Sequence, residues 1–154
     1  MPEKETPIHN VTTNRQAFYE YFVESSLETG IVLTGTEIKS IREGKVNLRG
    51  AYARMRNGEL WLEGMHIAPY EQGTYMNHEP LRVRKLLVHR RQLHNLADQV
   101  QVKGLALVPL KLYLKGSIVK VELGVCRGKK LYDKREDIAK REVQRDIARA
   151  MRRG

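Results

Sequence analysis

An Asn-Gly pair at positions 57 and 58 is the feature of this chain that most constrains its fold. It separates residues 51–56 from residues 59–63, two short segments that contain aromatic and aliphatic residues. Asn-Gly readily takes the positive φ angles of a type I′ turn, which joins two antiparallel strands. The sequence therefore predicts a β-hairpin over residues 51–63.

A second hairpin is predicted after Gly104, with its turn at Gly116-Ser117. Leucines and valines occupy every second position on both sides of this turn, which is typical of strands with one buried face. The alternating residues are Leu110, Leu112 and Leu114 before the turn and Val119, Val121, Leu123 and Val125 after it. Pro109 has no amide hydrogen, so we expect its strand to lie at an edge or to contain a bulge.

The first third of the chain predicts strands followed by a short helix. Residues 18–24 and 30–33 are rich in aromatic and β-branched residues and are predicted as strands. Thr34 and Glu37 have the spacing of a capping box, which predicts a short helix over residues 38–42. A second helix is predicted where apolar residues recur at helical spacing, at Leu93, Leu96, Ala97 and Val100.

These elements amount to five or six short strands with two or three short helices. The 154 residues fit one domain. We therefore predict a mainly β fold, an antiparallel β-barrel similar to the OB type. The expected division is a flexible arm over residues 1–13, a barrel over residues 14–126 and a basic C-terminal tail over residues 127–154 that is disordered by itself.

The charge of the chain points to a polyanionic partner. The net charge is +10 and the pI is near 9.9, and residues 127–154 contribute 11 Lys and Arg against 5 Asp and Glu. Nucleic acid is the first candidate and an anionic membrane the second. We expect a cytoplasmic protein without a membrane span, because Cys126 is the single cysteine and the N-terminal residues have no apolar stretch.

Motifs for catalysis or metal binding are weak. The five histidines have no metal-binding spacing, and no phosphate-binding glycine loop or nucleophile elbow occurs, so no cofactor and no metal are predicted. Glu28 and Glu37 could divide acid and base roles in an RNA-acting enzyme, but a helix cap at Glu37 and a turn at Glu28 explain them as well. The basic run at residues 82–85 is interpreted as a solvated face rather than a phosphate site.

The tail combines cationic residues with an aromatic residue. Its start reads Gly128-Lys129-Lys130-Leu131-Tyr132-Asp133-Lys134-Arg135, a composition suited to phosphate contacts and base stacking. Farther on, apolar residues fall on one helical arc and arginines on the other. An isolated helix this short is marginal in water, so we expect it to form only against a partner.

Four motifs follow one another along the chain, at Asn14-Arg15, residues 30–40, residues 44–48 and residues 84–87. In this collinear order, and with the tail, they resemble the small protein B family, the bacterial partners of transfer-messenger RNA. The resemblance implies an OB-like barrel that binds the tRNA-like part of transfer-messenger RNA and brings it to stalled ribosomes. It further implies that the tail enters the empty mRNA channel near the decoding centre and folds there as a helix.

The resemblance also implies site residues. Glu28, Leu87 and Lys120 match family residues implicated in binding the RNA, and Asn14, Lys39, Arg42, Lys45 and Asn47 lie in or beside family motifs. The ribosome-binding tail motif comprises Gly128, Lys129, Lys130, Tyr132, Asp133, Lys134 and Arg135. Some members have His where this chain has Tyr132; both can stack on a base, but only His titrates near neutrality. A monomeric, non-catalytic adaptor is expected, and an RNA-acting enzyme or a structural ribosomal protein remains the alternative.

Overall fold

The computed structural model describes residues 6–71 and 77–129 of the chain. Three helices and nine strands occur in this part. The helices are α1 (Arg15–Glu20), α2 (Gly35–Arg42) and α3 (Arg90–Lys103). The strands are β1 (Ile8–Thr13), β2 (Tyr21–Ile31), β3 (Val46–Asn47), β4 (Tyr52–Arg56), β5 (Glu59–Glu63), β6 (His66–Ile67), β7 (Arg84–Leu87), β8 (Ala106–Lys115) and β9 (Ile118–Gly128).

Six of the strands close into an antiparallel barrel. The sheet order is β8-β4-β5-β7-β2-β9, and β9 pairs with β8 again to complete the circuit. β1 adds to the same sheet through β8, and β3 pairs with β6 in a separate two-stranded sheet. Closure leaves fewer exposed sheet edges that could pair with other chains. The prediction of a mainly β fold with an antiparallel barrel is confirmed.

The barrel interior is filled by the apolar residues that alternate along its strands. Burying one such aliphatic side chain fully is worth roughly 1.5–3 kcal/mol. Leu96 of α3 packs into the same core from one side, whereas Val100 on the next turn of that helix is partly exposed. Leucines and valines of the strands that are at most 1% exposed are Leu60, Leu62, Leu86, Leu112, Val121 and Leu123.

Both predicted hairpins are present. β4 and β5 pair around Asn57 and Gly58, whose φ angles of 53° and 72° are those of a type I′ turn. β8 and β9 pair around Gly116-Ser117, and their register shifts between Pro109 and Lys111. Proline therefore lies at a bulge and not at an edge, since β8 has neighbours on both sides.

The prediction of a strand over residues 18–24 is wrong at its start. Phe18, Tyr19 and Glu20 belong to α1, and β2 begins only at Tyr21. The helix begins here because the side chain of Asn14 accepts a hydrogen bond from the amide of Ala17, which caps α1. β2 then continues to Ile31, so Val32 and Leu33, predicted as strand, follow it.

The arm and the tail boundary also differ from the expectation. Residues 8–13 were assigned to a flexible arm, but Ile8–Thr13 forms β1 and pairs with residues 111–115 of β8. β9 runs to Gly128, two residues beyond the expected end of the barrel, where Gly128 pairs with Tyr21. The predicted disorder and helix of the tail lie outside the described residues.

The predicted capping box is confirmed and is part of a buried ion pair. Thr34 Oγ1 accepts from the amide of Glu37, and Glu37 Oε1 accepts from the amide of Thr34 at 2.8 Å. Glu37 and Arg84 are both 0% exposed and pair with each other, and Arg82 Nη2 lies 2.6 Å from Glu37 Oε1. The interpretation of residues 82–85 as a solvated face is therefore wrong at Arg84, whose strand position points inward like that of Leu86.

Candidate nucleic-acid interface

Gly30 is the centre of an exposed face on the barrel. In the sheet it pairs with Leu87 of β7 on one side and with Lys120 of β9 on the other, and Lys120 pairs in turn with Tyr113 of β8. Glu28 lies two positions before Gly30 on the same side of β2. We call Glu28, Gly30, Leu87, Tyr113 and Lys120 the Gly30 face. Register alone brings together the three residues predicted to bind RNA most directly.

Leu87 presents an aliphatic surface because Gly30 has no side chain. A Cβ atom at Gly30 would lie 3.2 Å from Cβ of Leu87, closer than most real Cβ contacts. Leu87 is 49% exposed, while its neighbour Leu86 is buried in the core. Folding alone does not require an exposed leucine at this position. The exposed side chain of Leu87 can pack against a ribose or a base.

Glu28 is held as a carboxylate by its neighbours. Tyr113 donates a hydrogen bond to Glu28 Oε2 at 2.5 Å, and Lys115 Nζ lies 3.4 Å from Oε1. The hydrogen bond from Tyr113 is the main cause that lowers the pKa of Glu28, with help from the charges of Lys115 and Lys120. The pKa of Tyr113 is raised by burial and by this carboxylate, so its phenol stays protonated as the donor.

Lys120 supplies a cation that forms no ion pair with any residue in the described part of the chain. Glu28 and Glu122 are direct cross-strand neighbours, an arrangement of like charges that is unfavourable by itself. The hydrogen bond from Ser26 to Glu122 and the contact of Lys115 with Glu28 offset that repulsion. Glu28 and Glu122 are thus engaged by protein donors, and the charge of Lys120 acts on Glu28 without an ion pair between the two side chains.

Three further predicted residues lie on or after α2. Lys39 and Arg42 are exposed on the last turn of that helix. Lys39 Nζ lies 5.4 Å from the ring centroid of Tyr70, and Lys45 forms ion pairs with Glu43 and Glu71 at 3.3 Å and 3.4 Å. Exposed pairs of this kind are weak and exchange readily with a phosphate. Lys39 and Lys45 are thus both placed beside the segment of residues 70 and 71.

Asn14 directly follows the last residue of β1, and Asn47 lies close to it. Asn14 is 5% exposed, and its Nδ2 donates to the carbonyl groups of Leu48 and Pro109 at 3.3 Å and 2.9 Å. Its side chain therefore joins three segments of the protein and holds them in place. Asn47 is exposed, and its Oδ1 accepts from the amide of Arg49 at 2.8 Å.

The first two residues of the predicted tail motif are described. Gly128 ends β9, and Lys129 Nζ donates to the carbonyl of Phe18 at 3.0 Å and lies 4.9 Å from the ring centroid of Phe22. The start of the tail is thereby fixed beside α1. The rest of the motif, Lys130, Tyr132, Asp133, Lys134 and Arg135, lies outside the described residues.

The two carboxylates considered for catalysis do not share a site. Glu37 is closed off from solvent, and although burial alone would raise its pKa, hydrogen bonds from Arg82, from the Thr34 amide and from Arg84 lower it to about 2. Glu28 lies on the exposed Gly30 face and has a lowered pKa as well. Both are carboxylates at neutral pH, and neither has the raised pKa of a general acid.

Residue patterns alone did not identify three participants in the site. Gly30, Tyr113 and Lys115 complete the Gly30 face, but their roles depend on cross-strand register. One signal was available for Gly30, because a glycine inside a strand often marks a close approach of another chain segment. Among residues 6–71 and 77–129, no group of three or more His, Cys, Asp or Glu could hold a metal ion.

None of the helices in the described part of the chain has both the length and the apolar character that a membrane span needs. An antiparallel barrel that carries Leu87 and Lys120 on one outer face fits the class of small nucleic-acid-binding β-barrel proteins, of which the OB type is an example. The comparisons with known proteins agree with this class. The family model described as SmpB protein matches residues 11–153, and the chain belongs to this family.

Individual relatives are similar over nearly their whole length. The SsrA-binding protein of Roseiflexus castenholzii is 62% identical over 143 residues, which cover 92% of this chain and 90% of the relative. That of Chloroflexus aggregans is 57% identical over 154 residues, with 99% and 98% covered. A solved structure described as "tmRNA-SmpB: a journey to the center of the bacterial ribosome" is 50% identical with a TM-score of 0.65 and covers 77% of this chain and 83% of its own.

Proposed function

We propose that this protein is an RNA-binding adaptor that binds the tRNA-like part of transfer-messenger RNA and delivers it to stalled ribosomes. Membership of the SmpB family, relatives named SsrA-binding proteins and the tmRNA–SmpB ribosome structure support this proposal. The single structural observation that carries it is the convergence of Glu28, Leu87 and Lys120 around Gly30.

The contacts that the Gly30 face offers suit recognition of a folded RNA better than recognition of one base sequence. Lys120 can contact a backbone phosphate, and the exposed side of Leu87 can pack on a ribose or on an unstacked base. Folded RNA is read mainly through its shape, its phosphates and its 2′-hydroxyl groups. Such contacts would recognise the three-dimensional form of a tRNA-like fold.

Glu28 acts in this proposal by holding Tyr113 and Lys115 in place. A carboxylate repels phosphates, so a direct role for Glu28 would require a donor such as a 2′-hydroxyl group. Both of its oxygens are already engaged by Tyr113 and Lys115. We therefore assign Glu28 to positioning the face, and Lys120 and Leu87 to contacting the RNA.

The tail belongs to the second half of the proposed function. It carries more than half of the chain's net charge, and its described start at Lys129 is anchored to α1 away from the Gly30 face. We propose that residues 130–154 enter the mRNA channel and form a helix there, so that barrel and tail engage two different RNA surfaces.

Truncation separates these two activities. Because β9 runs to Gly128 and Lys129 is bonded to α1, the chain should be ended after Lys129. The expected result is near-normal binding of transfer-messenger RNA together with loss of tagging of stalled peptides. Persistent tagging by the truncated protein would contradict the two-surface proposal.

Two alternatives make different predictions. A structural ribosomal protein would sediment with ribosomes whether or not transfer-messenger RNA is present, whereas an adaptor depends on that RNA. An RNA-acting enzyme would turn over RNA and lose that activity in Glu28→Gln or Glu37→Gln. The lowered pKa values leave neither carboxyl group protonated to act as a general acid, and Glu37 is closed off from solvent. Action on ribosomes further implies a cytoplasmic location, and a monomer is expected.

A further inference from the structure

We propose that the RNA surface of the barrel continues from the Gly30 face across β7 to Trp61, and that one unstacked base of the same RNA stacks on this tryptophan. Trp61 lines a depression of about 300 Å³ on the outer side of β4 and β5, which we call the Trp61 depression. The inference rests on the proposed function, since it takes the ligand to be the RNA that binds the Gly30 face. The other residues that line the depression are Arg54, Arg56, Asn57, Glu59, Glu63 and Val83.

Strand register places Trp61 next to Leu87 on one outer surface. Trp61 of β5 pairs with Lys85 of β7, and Leu87 lies two positions farther along β7. Side chains alternate between the two faces of a strand, so Lys85 and Leu87 point outward while Leu86 between them is buried in the core. Diagonal neighbours of this kind lie roughly 7–8 Å apart, within reach of an aromatic side chain. The Trp61 depression is therefore continuous with the Gly30 face.

Exposed aliphatic side chains extend the same surface on both sides of Lys85. Val32 is 45% exposed, and its amide donates to the carbonyl of Lys85 at 2.9 Å. Val83 lies two positions before Lys85, is 41% exposed and lines the Trp61 depression. The core lies on the inner side of this sheet, so packing of the core does not explain these apolar groups. They offer a surface on which a ribose or a base can pack.

The two acids of the depression are engaged by cations. Arg54 lies directly across from Trp61 on β4, and its Nη2 lies 2.9 Å from Glu63. Lys85 lies across from Trp61 on the other side, and its Nζ lies 3.2 Å from Glu59. Both carboxylates are thus neutralised by neighbours that flank the indole ring.

Arg56 is left available by these pairs. It is exposed, lies next to the turn of the hairpin and forms no ion pair with any residue that the structure describes. Its cross-strand neighbour Glu59 is engaged by Lys85. A guanidinium group suits bidentate contact with a phosphate. Arg56 can therefore bind the phosphate of the nucleotide whose base stacks on Trp61.

The surroundings of Trp61 favour RNA over a protein partner. Three cations and two acids surround the ring, so the local charge is positive and attracts a polyanion. An aromatic ring among cations provides stacking and phosphate contacts to an unpaired strand. The depression also adjoins Leu87 of the Gly30 face, so one RNA can reach both.

The first test uses fluorescence, because Trp61 is the single tryptophan of the chain. The full-length protein is titrated with a transfer-messenger RNA transcript, and binding is measured in parallel by gel shift. The emission of Trp61 is expected to fall along the same binding curve, and acrylamide should quench the bound protein less than the free protein. Binding without any change in emission or in acrylamide quenching would overturn the inference and leave the proposed function standing.

The second test uses variants. Trp61→Ala is expected to weaken binding of the transcript roughly fivefold or more, and Trp61→Phe, which keeps a stacking ring, should retain most of the affinity. Arg56→Ala should weaken binding about as much and lower the salt slope by about one. Lys103→Ala, which removes an exposed cation from the end of α3, is the control and should change neither quantity.

The outcomes separate the Trp61 depression from the Gly30 face. Folding of each variant is checked by its amide NMR spectrum, and the exposed position of Arg56 keeps the test available if Trp61→Ala does not fold. Unchanged affinity in the folded variants, with binding still impaired in Lys120→Ala, would overturn the Trp61 depression alone. Protection of Trp61 from acrylamide by ribosomal proteins but not by the transcript would overturn it in favour of a protein partner. Failure of the wild-type protein to bind the transcript would overturn both proposals.

Discussion

The phenol of Tyr113 on β8 donates a 2.5 Å hydrogen bond to the carboxylate of Glu28 on β2, across the strand that lies between them. The bond passes over β9 between Lys120 and Glu122. The bond thereby links β8 to β2, whose two residues lie 85 positions apart in the sequence, on the outer surface of the barrel. The bond fixes the position of a carboxylate next to the lysine that we assign to RNA.

Tyr113→Phe is expected to raise the pKa of Glu28 toward its ordinary value, because it removes the main cause that lowers it. Lys115→Gln, which removes a longer contact of 3.4 Å, should raise it less. The stability that Glu28 adds as a carboxylate is present above its unfolded pKa and is lost as the pH falls through the lowered folded pKa. NMR titration of the Glu28 carboxyl carbon measures this, and an unchanged pKa in Tyr113→Phe would refute the assignment.

Gly30→Ala is expected to weaken RNA binding several-fold, because the new Cβ would lie 3.2 Å from Cβ of Leu87 and displace that side chain. The loss of unfolding free energy should be only about 1 kcal/mol, since the crowding occurs at the surface. Gly35→Ala is the matched control, since a Cβ at Gly35 meets nothing within 4 Å. Equal RNA affinities of the two variants would contradict the role of Gly30.

Glu37→Gln is expected to lower the free energy of unfolding by about 3 kcal/mol or more at pH 7, because it leaves buried Arg84 without its carboxylate. Glu59→Gln, which breaks the exposed pair with Lys85, should cost less than about 1 kcal/mol. Urea unfolding measures both values.

The pH dependence gives this prediction a second check. The pKa of Glu37 is lowered from 4.5 to about 2, so its contribution is complete above about pH 4.5 and is lost as the pH falls toward 2. The difference between wild type and Glu37→Gln should therefore shrink over that interval. A difference that stays constant between pH 7 and pH 3 would show that the ion pair does not stabilise the fold.

Local sequence signals predicted the elements that are stabilised by interactions between residues close in the sequence. The turn at Asn57-Gly58 and the capping box of Thr34 and Glu37 each depend on residues within four positions of one another. The start of α1 has a local signal as well, in the cap formed by Asn14, but the aromatic residues at 18 and 19 favoured a strand. Aromatic residues favour strands mainly where they are half-buried and pack against neighbouring strands. Both of these side chains remain partly or largely exposed, so that stabilisation is small here.

The site depends on contacts that no local pattern contains. Glu28, Leu87 and Lys120 are neighbours only because β7, β2 and β9 pair in one particular register, and a shift of one residue would turn them inward. The burial of Arg84 was missed for the same reason, since its partner Glu37 lies 47 residues away. The resemblance to a family supplied these site residues, and the pairing of the strands explains why they lie on one face.

The central claim is that the Gly30 face binds the RNA, and a matched pair of double variants tests it most directly. Leu87→Ala with Lys120→Ala removes the exposed aliphatic group and the unpaired cation. Val102→Ala with Lys103→Ala removes the same kinds of group from the exposed surface of α3. Affinity for a transfer-messenger RNA transcript is measured for both at one salt concentration. We predict a loss of roughly thirtyfold or more for the first variant and almost none for the second; equal affinities would contradict the account.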